Sequence, residues 1–519
     1  MQQFNPLPFT LKRHQQYTLL AATAVSSSCG LAIELLLGTL TSYLVGNQAL
    51  SYGVAVGGFL AAMGIGSYLS RFIVPTTANP HTEQMSLLST FIKIELWIAP
   101  LSALLPLALF TLFVVSGPVW IGLTLVTLIL GTLAGLEVPV LTRLLEQQTG
   151  VRDALSGVLA LDYLGALAGS LLLPVILLPT IGLFPSAAVV GIFPAAMVVI
   201  LSYNFPSLRQ WKRWGIALCL GLCTFAPFTV AVSNRLENNL YRAPIISRIQ
   251  TQYQRIVLTR QAKDLRLYLD GDLQFSSLDE YRYHEALVHP AISANNNREQ
   301  VLLMGAGDGL ALREVLKWKE VKRVVLIDLD PAIVKLAQQH PFLANANVNA
   351  FQDPRVEVKH ADAFVTVPSL TDTFDVIIAD FPDPDRDIIA KLYAQGFYQR
   401  LLPRLALDGI FVTQASSPFF APKAFACIVT TLESVGLSVH PYTVDVPSFG
   451  PWGFILAART PIQSETLNLQ VPTKFLTPAL LQHLFDLPKD IVLGNVKVNR
   501  LGDPVLVRYQ TDAHWKTYY

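Results

Sequence analysis

Hydrophobic positions are spread very unevenly along the chain. Seven long apolar runs come first, at about 17 to 45, 50 to 74, 91 to 115, 119 to 140, 155 to 178, 183 to 205 and 214 to 232. Each is near the ~20 residues that a helix needs to cross hydrocarbon. Farther on, the apolar runs shorten, take on β-branched residues and are broken by Gly, Asn, Asp and Pro, which is the rhythm of strands and turns. The pattern predicts a multi-pass, all-α transmembrane bundle over 1–233, a small β-hairpin subdomain over 234–298, a doubly wound α/β domain over 299–460 and a C-terminal extension over 461–519.

Charge orients the bundle. Lys12 and Arg13 precede the first run; Arg71, then Arg143 and Arg152, then Arg209, Lys212 and Arg213 flank every second loop, and the loops at 46–50, 116–118 and 179–182 carry no Lys or Arg. The positive-inside rule puts the N-terminus in the cytoplasm. No small-residue cleavage site follows the first run, so it reads as a retained span in a cell-membrane protein. Seven full crossings would then leave the soluble half outside. Trp214 to Val232 contains Pro227 and is followed by Arg235, Arg242 and Arg248. This run is therefore read as re-entrant or lying against the bundle, with the soluble half cytoplasmic.

Ionisable residues inside the runs change the picture further. Glu34, Lys93, Glu95, Glu137 and Asp162 lie in segments where a carboxylate is costly unless paired or hydrated. Two readings stay open: an acidic cavity suited to a cationic amine, or else pairing with Lys93 or capping of helices broken near Pro139 and Gly135. The glycine runs Gly53 to Gly58 and Gly165 to Gly169 read as close helix packing. Cys29, Cys219, Cys223 and Cys427 have neither disulfide nor metal-ligand spacing. Overall composition, 52% hydrophobic and 14% charged, averages two unlike halves, and a net charge of +1 argues against a nucleic-acid partner.

The chemistry gathers in the soluble half. Ile256 to Arg260 and Leu265 to Leu269 read as strands, and Asp270-Gly271 as a hairpin turn. A strand from Val301 to Met304 runs into Gly305-Ala306-Gly307-Asp308-Gly309, then a helix from about Ala311 to Lys319 and a strand from Arg323 to Leu329 holding Asp328. Glycines let backbone pass close to a nucleotide, and an acid about 20 residues on can bridge ribose hydroxyls, the start of a Rossmann-like doubly wound sheet. Strands near Val356 and over Phe374 to Asp380 add Asp362 and Asp380, so successive parallel strands end in carboxylates at one face of the sheet.

In order along 235–460, several blocks resemble the spermidine synthase-like polyamine aminopropyltransferases, in their bacterial form with an N-terminal membrane domain. They are Gln252-Tyr253-Gln254, Leu269 to Gln274, Asp279-Glu280-Tyr281-Arg282-Tyr283-His284-Glu285, Gly305 to Gly309 with Arg313-Glu314-Val315, Asp353-Pro354-Arg355-Val356 and Asp362. The resemblance implies the class I methyltransferase-like fold. It also implies a donor, decarboxylated S-adenosylmethionine, as co-substrate with no permanently bound cofactor and no metal. Gln254, His284, Gly305, Gly307, Asp308, Asp328, Asp362 and Ala363 would hold this donor. Asp380 would be the general base, and Tyr283, Asp383, Gln414 and Phe449 would meet the acceptor amine, with putrescine the expected acceptor. Three departures weaken the acceptor side more than the donor side. The family's hydroxyl-bearing loop is Asp380-Phe381-Pro382-Asp383-Pro384 here, its late tyrosine is Phe449, and the middle glycine of its turn is Ala306.

Blander expectations stand beside these. Asp279, Glu280 and Arg282 read as solvated helix-start residues, His289 as a helix-end histidine, and Asp330 and Asp387 as surface charges. Arg386 and Lys391 read either as a closure over the site or as ordinary exposed charges. Tyr393, Phe397 and Tyr398 read as core. Phe475 to Phe485 reads as one amphipathic helix, and the tail with Trp515 packs on its own domain or on a neighbour in a homo-oligomer. The competing functions are a methyltransferase on the same fold and a polyamine transporter or sensor.

Overall fold

The computed structural model describes residues 11–45, 48–73, 80–115, 117–241 and 243–511. Trp515 and the C-terminal tyrosines lie outside the described residues. The chain forms two compact units that divide between 242 and 243.

Among the described residues, seven helices of the first unit are long and apolar enough to cross a membrane: Arg13–Leu44, Ser51–Ile73, Thr82–Val114, Val119–Glu146, Val151–Ile181, Leu183–Asn204 and Pro206–Tyr241. The seventh corrects the re-entrant reading. From Lys212 to Tyr241 it is one unbroken helix of 30 residues with Pro227 in its interior, so the proline does not turn the chain back. The fifth contains a π-helical stretch, Leu172–Leu177, around Pro174. Close packing falls partly on other glycines than expected. A Cβ on Gly165 or Gly169 would come within 2.1 or 2.2 Å of a neighbouring backbone oxygen, whereas Gly53 and Gly57 face open space. Gly66 and Gly135 take over that role in the second and fourth helices, each at 2.1 Å.

The carboxylates of the apolar helices are mostly sequestered, with Asp162 half-buried. Glu34, Glu95 and Glu137 are buried, the Ser26 hydroxyl donates to Glu137, and one oxygen of Glu95 has no hydrogen-bond partner. Lys93 is exposed while Glu95, two positions on, is buried, as expected for i,i+2 residues on different helix faces.

The second unit begins with a four-stranded antiparallel sheet, β1 (Ile245–Gln250), β2 (Arg255–Gln261), β3 (Asp264–Leu269) and β4 (Asp272–Ser276). Asp270 and Gly271 both have positive φ, 52° and 100°, between Leu269 and its partner Asp272. That is the geometry of a two-residue hairpin turn whose twist matches its strands.

A seven-stranded sheet follows: β5 (Gln300–Gly305), β6 (Arg323–Asp328), β7 (Val356–His360), β8 (Phe374–Asp380), β9 (Leu405–Gln414), β10 (Ser438–Val446) and β11 (Gly450–Ala458). Its order is β10-β11-β9-β8-β5-β6-β7, parallel except where β11 pairs. Along β5, Val301 and Leu303 enter one core cluster and Leu302 and Met304 the other. Both faces are therefore covered, which explains the nearly continuous apolar runs. The order reverses between β5 and β8, so the carboxyl ends of those two strands open the crevice where ligands bind such sheets.

Several local readings change. The helix after the glycine turn spans Leu310–Leu316 and stops short of Lys319, where Trp318 turns inward and its indole donates to His289 Nδ1 at 3.1 Å. His289 itself sits buried in the middle of the helix Glu280–Ala294, its Nε2 2.9 Å from Glu314. Of the stretch Phe475 to Phe485, Pro478–Gln482 alone is helical. The amides of Lys474, Phe475 and Leu476 point at the buried Glu285 carboxylate at 2.6 to 2.9 Å, which holds those residues out of the helix. The tail packs on its own domain, with Leu481 and Leu484 in one core cluster and Val505 and Leu506 in the other.

Candidate active site

Register builds the site. Gly305, the last residue of β5, pairs with Asp380, the last of β8, so the glycine turn and a carboxylate emerge side by side. Gly305 adopts φ +79°, and a Cβ there would lie 2.2 Å from the Asp380 carbonyl oxygen. Ala306 follows at φ +60°, a left-handed position that costs an alanine about 1 kcal/mol relative to glycine. A Cβ on Gly307 would sit 2.5 Å from Asp328 Oδ2; its bare Cα lets the turn lie against the end of β6.

Four carboxylates surround this crevice. Asp308 accepts from the Leu310 amide at 2.9 Å and Asp328 from the Asp330 amide at 2.9 Å. Burial pushes Asp328 up to about 6 and raises Asp308 as well. Asp380 is likewise raised to about 6 by burial, with His284 opposing and Asp308 reinforcing the shift. Asp383 is pushed up to about 7 by burial first and then by the charges of Asp385 and Asp272. Crowded carboxylates with raised pKa values mark a site prepared for positive charge.

The helix Glu280–Ala294 supplies the wall opposite β8. The Tyr283 hydroxyl donates to Asp380 Oδ1 at 2.7 Å, and its ring meets those of Phe449, Trp452 and Phe454 at 6.3, 6.5 and 5.2 Å. His284 is held from behind by Glu280, 2.9 Å from its Nδ1. Burial works against a charged imidazole here, but the Glu280 carboxylate outweighs it and raises His284 to about 9. Glu280 also receives Arg313 at 3.0 and 2.9 Å; His284 and Arg313 together overcome burial and lower it to about 2. Glu280 is thus a buried anchor rather than a solvated residue. Asp279 is buried too, accepting from the Ser448 amide and hydroxyl at 2.6 and 2.9 Å. Asp330, expected at the surface, is 2% exposed and takes Thr251 and Gln254 at 2.8 and 3.1 Å.

The structure brings Tyr283, His284, Gly305, Gly307, Asp308, Asp328, Asp380 and Phe449 to one crevice. Gln254 joins through Asp330. Asp362 caps the short helix that starts at Ala363 and pairs with Lys391 at 2.8 Å, and Arg386 pairs with Asp270 at 2.7 Å. Gln414 is turned inward: its amide donates to the Phe381 carbonyl and Tyr393 hydroxyl and accepts from the Ser416 amide. That leaves it a role in holding the Asp380–Asp383 loop. Trp452, Ser416 and Gln510 were missed; none stands in a recognisable spacing. Among the described residues no group of three or more His, Cys, Asp or Glu could hold a metal ion.

The spermine/spermidine synthase domain matches residues 280–467. Polyamine aminopropyltransferase 2 of Ralstonia nicotianae is 41% identical over 512 residues, 96% of this chain and 98% of that one. The chain belongs to the spermine/spermidine synthase family. Polyamine aminopropyltransferase of Leptospira interrogans is 38% identical over 506 residues, covering 96% of this chain and 99% of the relative. These alignments run nearly the length of both chains, so they take in the apolar N-terminal half of this chain as well as its α/β domain. A solved spermidine synthase in complex with the transition-state analogue AdoDATO matches 48% of this chain and 86% of its own, at 26% identity and a TM-score of 0.46. Residues 468–511, which carry Gln510, lie beyond the matched family domain.

Proposed function

We propose that this chain transfers the aminopropyl group of decarboxylated S-adenosylmethionine to an amine, with putrescine giving spermidine, and releases methylthioadenosine. The observation that carries the reading is Asp380: a carboxylate raised to about 6, beside the glycine turn and hydrogen-bonded by Tyr283. An alkylammonium with an ordinary pKa near 10.4 must lose a proton before it can attack. Asp380 takes that proton. The freed nitrogen attacks the methylene carbon next to the sulfonium; the N–C bond forms, the C–S bond breaks, and its electron pair returns to sulfur.

The other carboxylates hold the donor and acceptor. Asp328 takes the ribose hydroxyls, Asp362 the adenine amino group, and Asp308 the aminopropyl ammonium; His284 and Gln254, with Ala363 at the helix start, complete the donor side. An acid at Asp308 suits a donor whose own carboxylate is gone and would repel intact S-adenosylmethionine. Asp383 aligns the remote end of the acceptor, and Tyr283, Phe449 and Trp452 form an aromatic wall along its methylenes.

The apolar unit, in this reading, sets the enzyme in the cell membrane with the catalytic half in the cytoplasm. The support is chemical: the donor carries permanent charge and does not cross lipid unaided. Seven crossings then require an external N-terminus, against the Lys and Arg distribution, so reporters fused at both ends decide the orientation. A cytoplasmic signal after Tyr519 is expected, and an external one overturns this part. For the reaction, purified full-length protein is incubated with either the decarboxylated or the intact donor and a panel of amines. Equal amounts of methylthioadenosine and aminopropylated amine, from the decarboxylated donor alone, are expected; a methylated product would overturn the assignment.

A further inference from the structure

The C-terminal extension reaches into the acceptor end of the crevice. Its last described helix, Val505–Thr511, is pinned by Val505 and Leu506, which are 1% and 0% exposed. Just before it, the buried Asn499 is tied on three sides. Its amide donates to Thr431 Oγ1 at 3.0 Å, its side chain donates to the Ala390 carbonyl at 2.9 Å, and its carbonyl accepts from the Gln395 amide at 2.9 Å. So anchored, the helix carries Gln510 to Asp383. Gln510 Nε2 donates to Asp383 Oδ2 at 3.0 Å and to Ser416 Oγ at 2.9 Å, and Ser416 in turn donates to the same carboxylate oxygen at 3.3 Å.

What remains unmet is informative. Asp383 Oδ1 and Gln510 Oε1 are both buried and both lack a hydrogen-bond donor. A buried acceptor left unpaired is costly, and here two stand on side chains that are hydrogen-bonded to each other. One is a carboxylate oxygen and the other an amide oxygen; both call for N–H donors, and the charge calls for a cation. The ammonium end of an alkyldiamine has three donors on a single charged nitrogen. Resting on the aminopropyltransferase reading, we infer that Gln510 is a specificity-determining residue. With Asp383 it forms the subsite that receives the remote ammonium of the acceptor, so that the C-terminal extension, outside the family domain, selects diamines over monoamines.

Sequestering the donors of Gln510 on Asp383 and Ser416 fixes the direction of its carbonyl. A group that reads the remote charge acts on acceptor binding and leaves the reacting centre alone. The test compares purified full-length wild type with Gln510→Met, which keeps length and bulk, and Gln510→Ala, with putrescine and with n-butylamine, which has the same carbon chain and no remote ammonium. Both variants should raise the KM for putrescine about tenfold or more. The KM for the donor, kcat at saturating putrescine and kcat/KM for butylamine should stay within about twofold, and thermal midpoints should match wild type. An unchanged putrescine-to-butylamine ratio in active variants overturns the inference, as does an equal loss with both amines, which marks a merely structural role. If wild type makes no methylthioadenosine with any amine, the reaction assignment itself has failed, a result distinct from either.

Discussion

Replacing Tyr283 with Phe deletes one oxygen from the site and leaves the ring packed on Phe449, Trp452 and Phe454. That oxygen donates to Asp380 Oδ1 at 2.7 Å and helps hold the carboxylate ionised against its burial. Hydrogen bonds to charged groups contribute ~1.5 to 3 kcal/mol, and the lower end applies because Asp380 keeps partial exposure to the crevice. At 1.36 kcal/mol per pH unit, losing ~1.5 kcal/mol carries Asp380 up by about one unit from its value of about 6. A general base works only when ionised, so the acidic limb of kcat should move up by about one pH unit. Relative to wild type, turnover should fall about fivefold at pH 6 and stay near parity at pH 8. Methylthioadenosine release under saturating donor and putrescine, from pH 5 to 9, measures this directly. A limb that stays in place, or a loss equal at pH 6 and pH 8, would refute the role given to the phenol.

Glu280→Gln should cost about 3 kcal/mol or more in unfolding free energy by denaturant titration, because it strips the counter-charge from the buried His284 and the largely covered Arg313. The wild-type contribution of Glu280 is complete above about pH 4.5 and is lost as pH falls toward 2. That of His284 is complete below 6.5 and is lost as pH rises through about 9. The difference between wild type and variant should therefore be largest between about pH 4.5 and 6.5; a pH-independent difference would count against the network. Gly307→Ala puts a methyl 2.5 Å from Asp328 Oδ2 and 2.7 Å from Ile333. Donor affinity by calorimetry should drop by about tenfold or more, and unchanged affinity would deny that the turn and Asp328 share one ligand.

Much of this arrangement is legible in the chain because it follows from local rules. The strand-turn-helix at Gly305 to Gly309 and the acid at Asp328 sit at spacings set by one β-α-β unit, and seven apolar runs correspond to seven helices long enough to span. Contacts that close over long distances in sequence leave no such trace. Asp330 looks like a surface charge until Thr251 and Gln254, more than 70 positions earlier, fold onto it. Glu285 draws the tail out of the helix its periodicity suggests by accepting three amides nearly 190 residues away. Gln510 meets Asp383 across 127 residues. Pro227 shows the opposite limit: a local signal for a break is overridden by the helix continuing on both sides.

In the proposed reaction Asp380 accepts the proton that frees the attacking amine. The most direct test of this step is Asp380→Asn, which keeps a partner for Tyr283 and removes the base. Donor affinity should be unchanged, while the rate of methylthioadenosine formation in a single turnover falls by about 10² to 10⁴. A single-turnover rate within about tenfold of wild type would contradict the account.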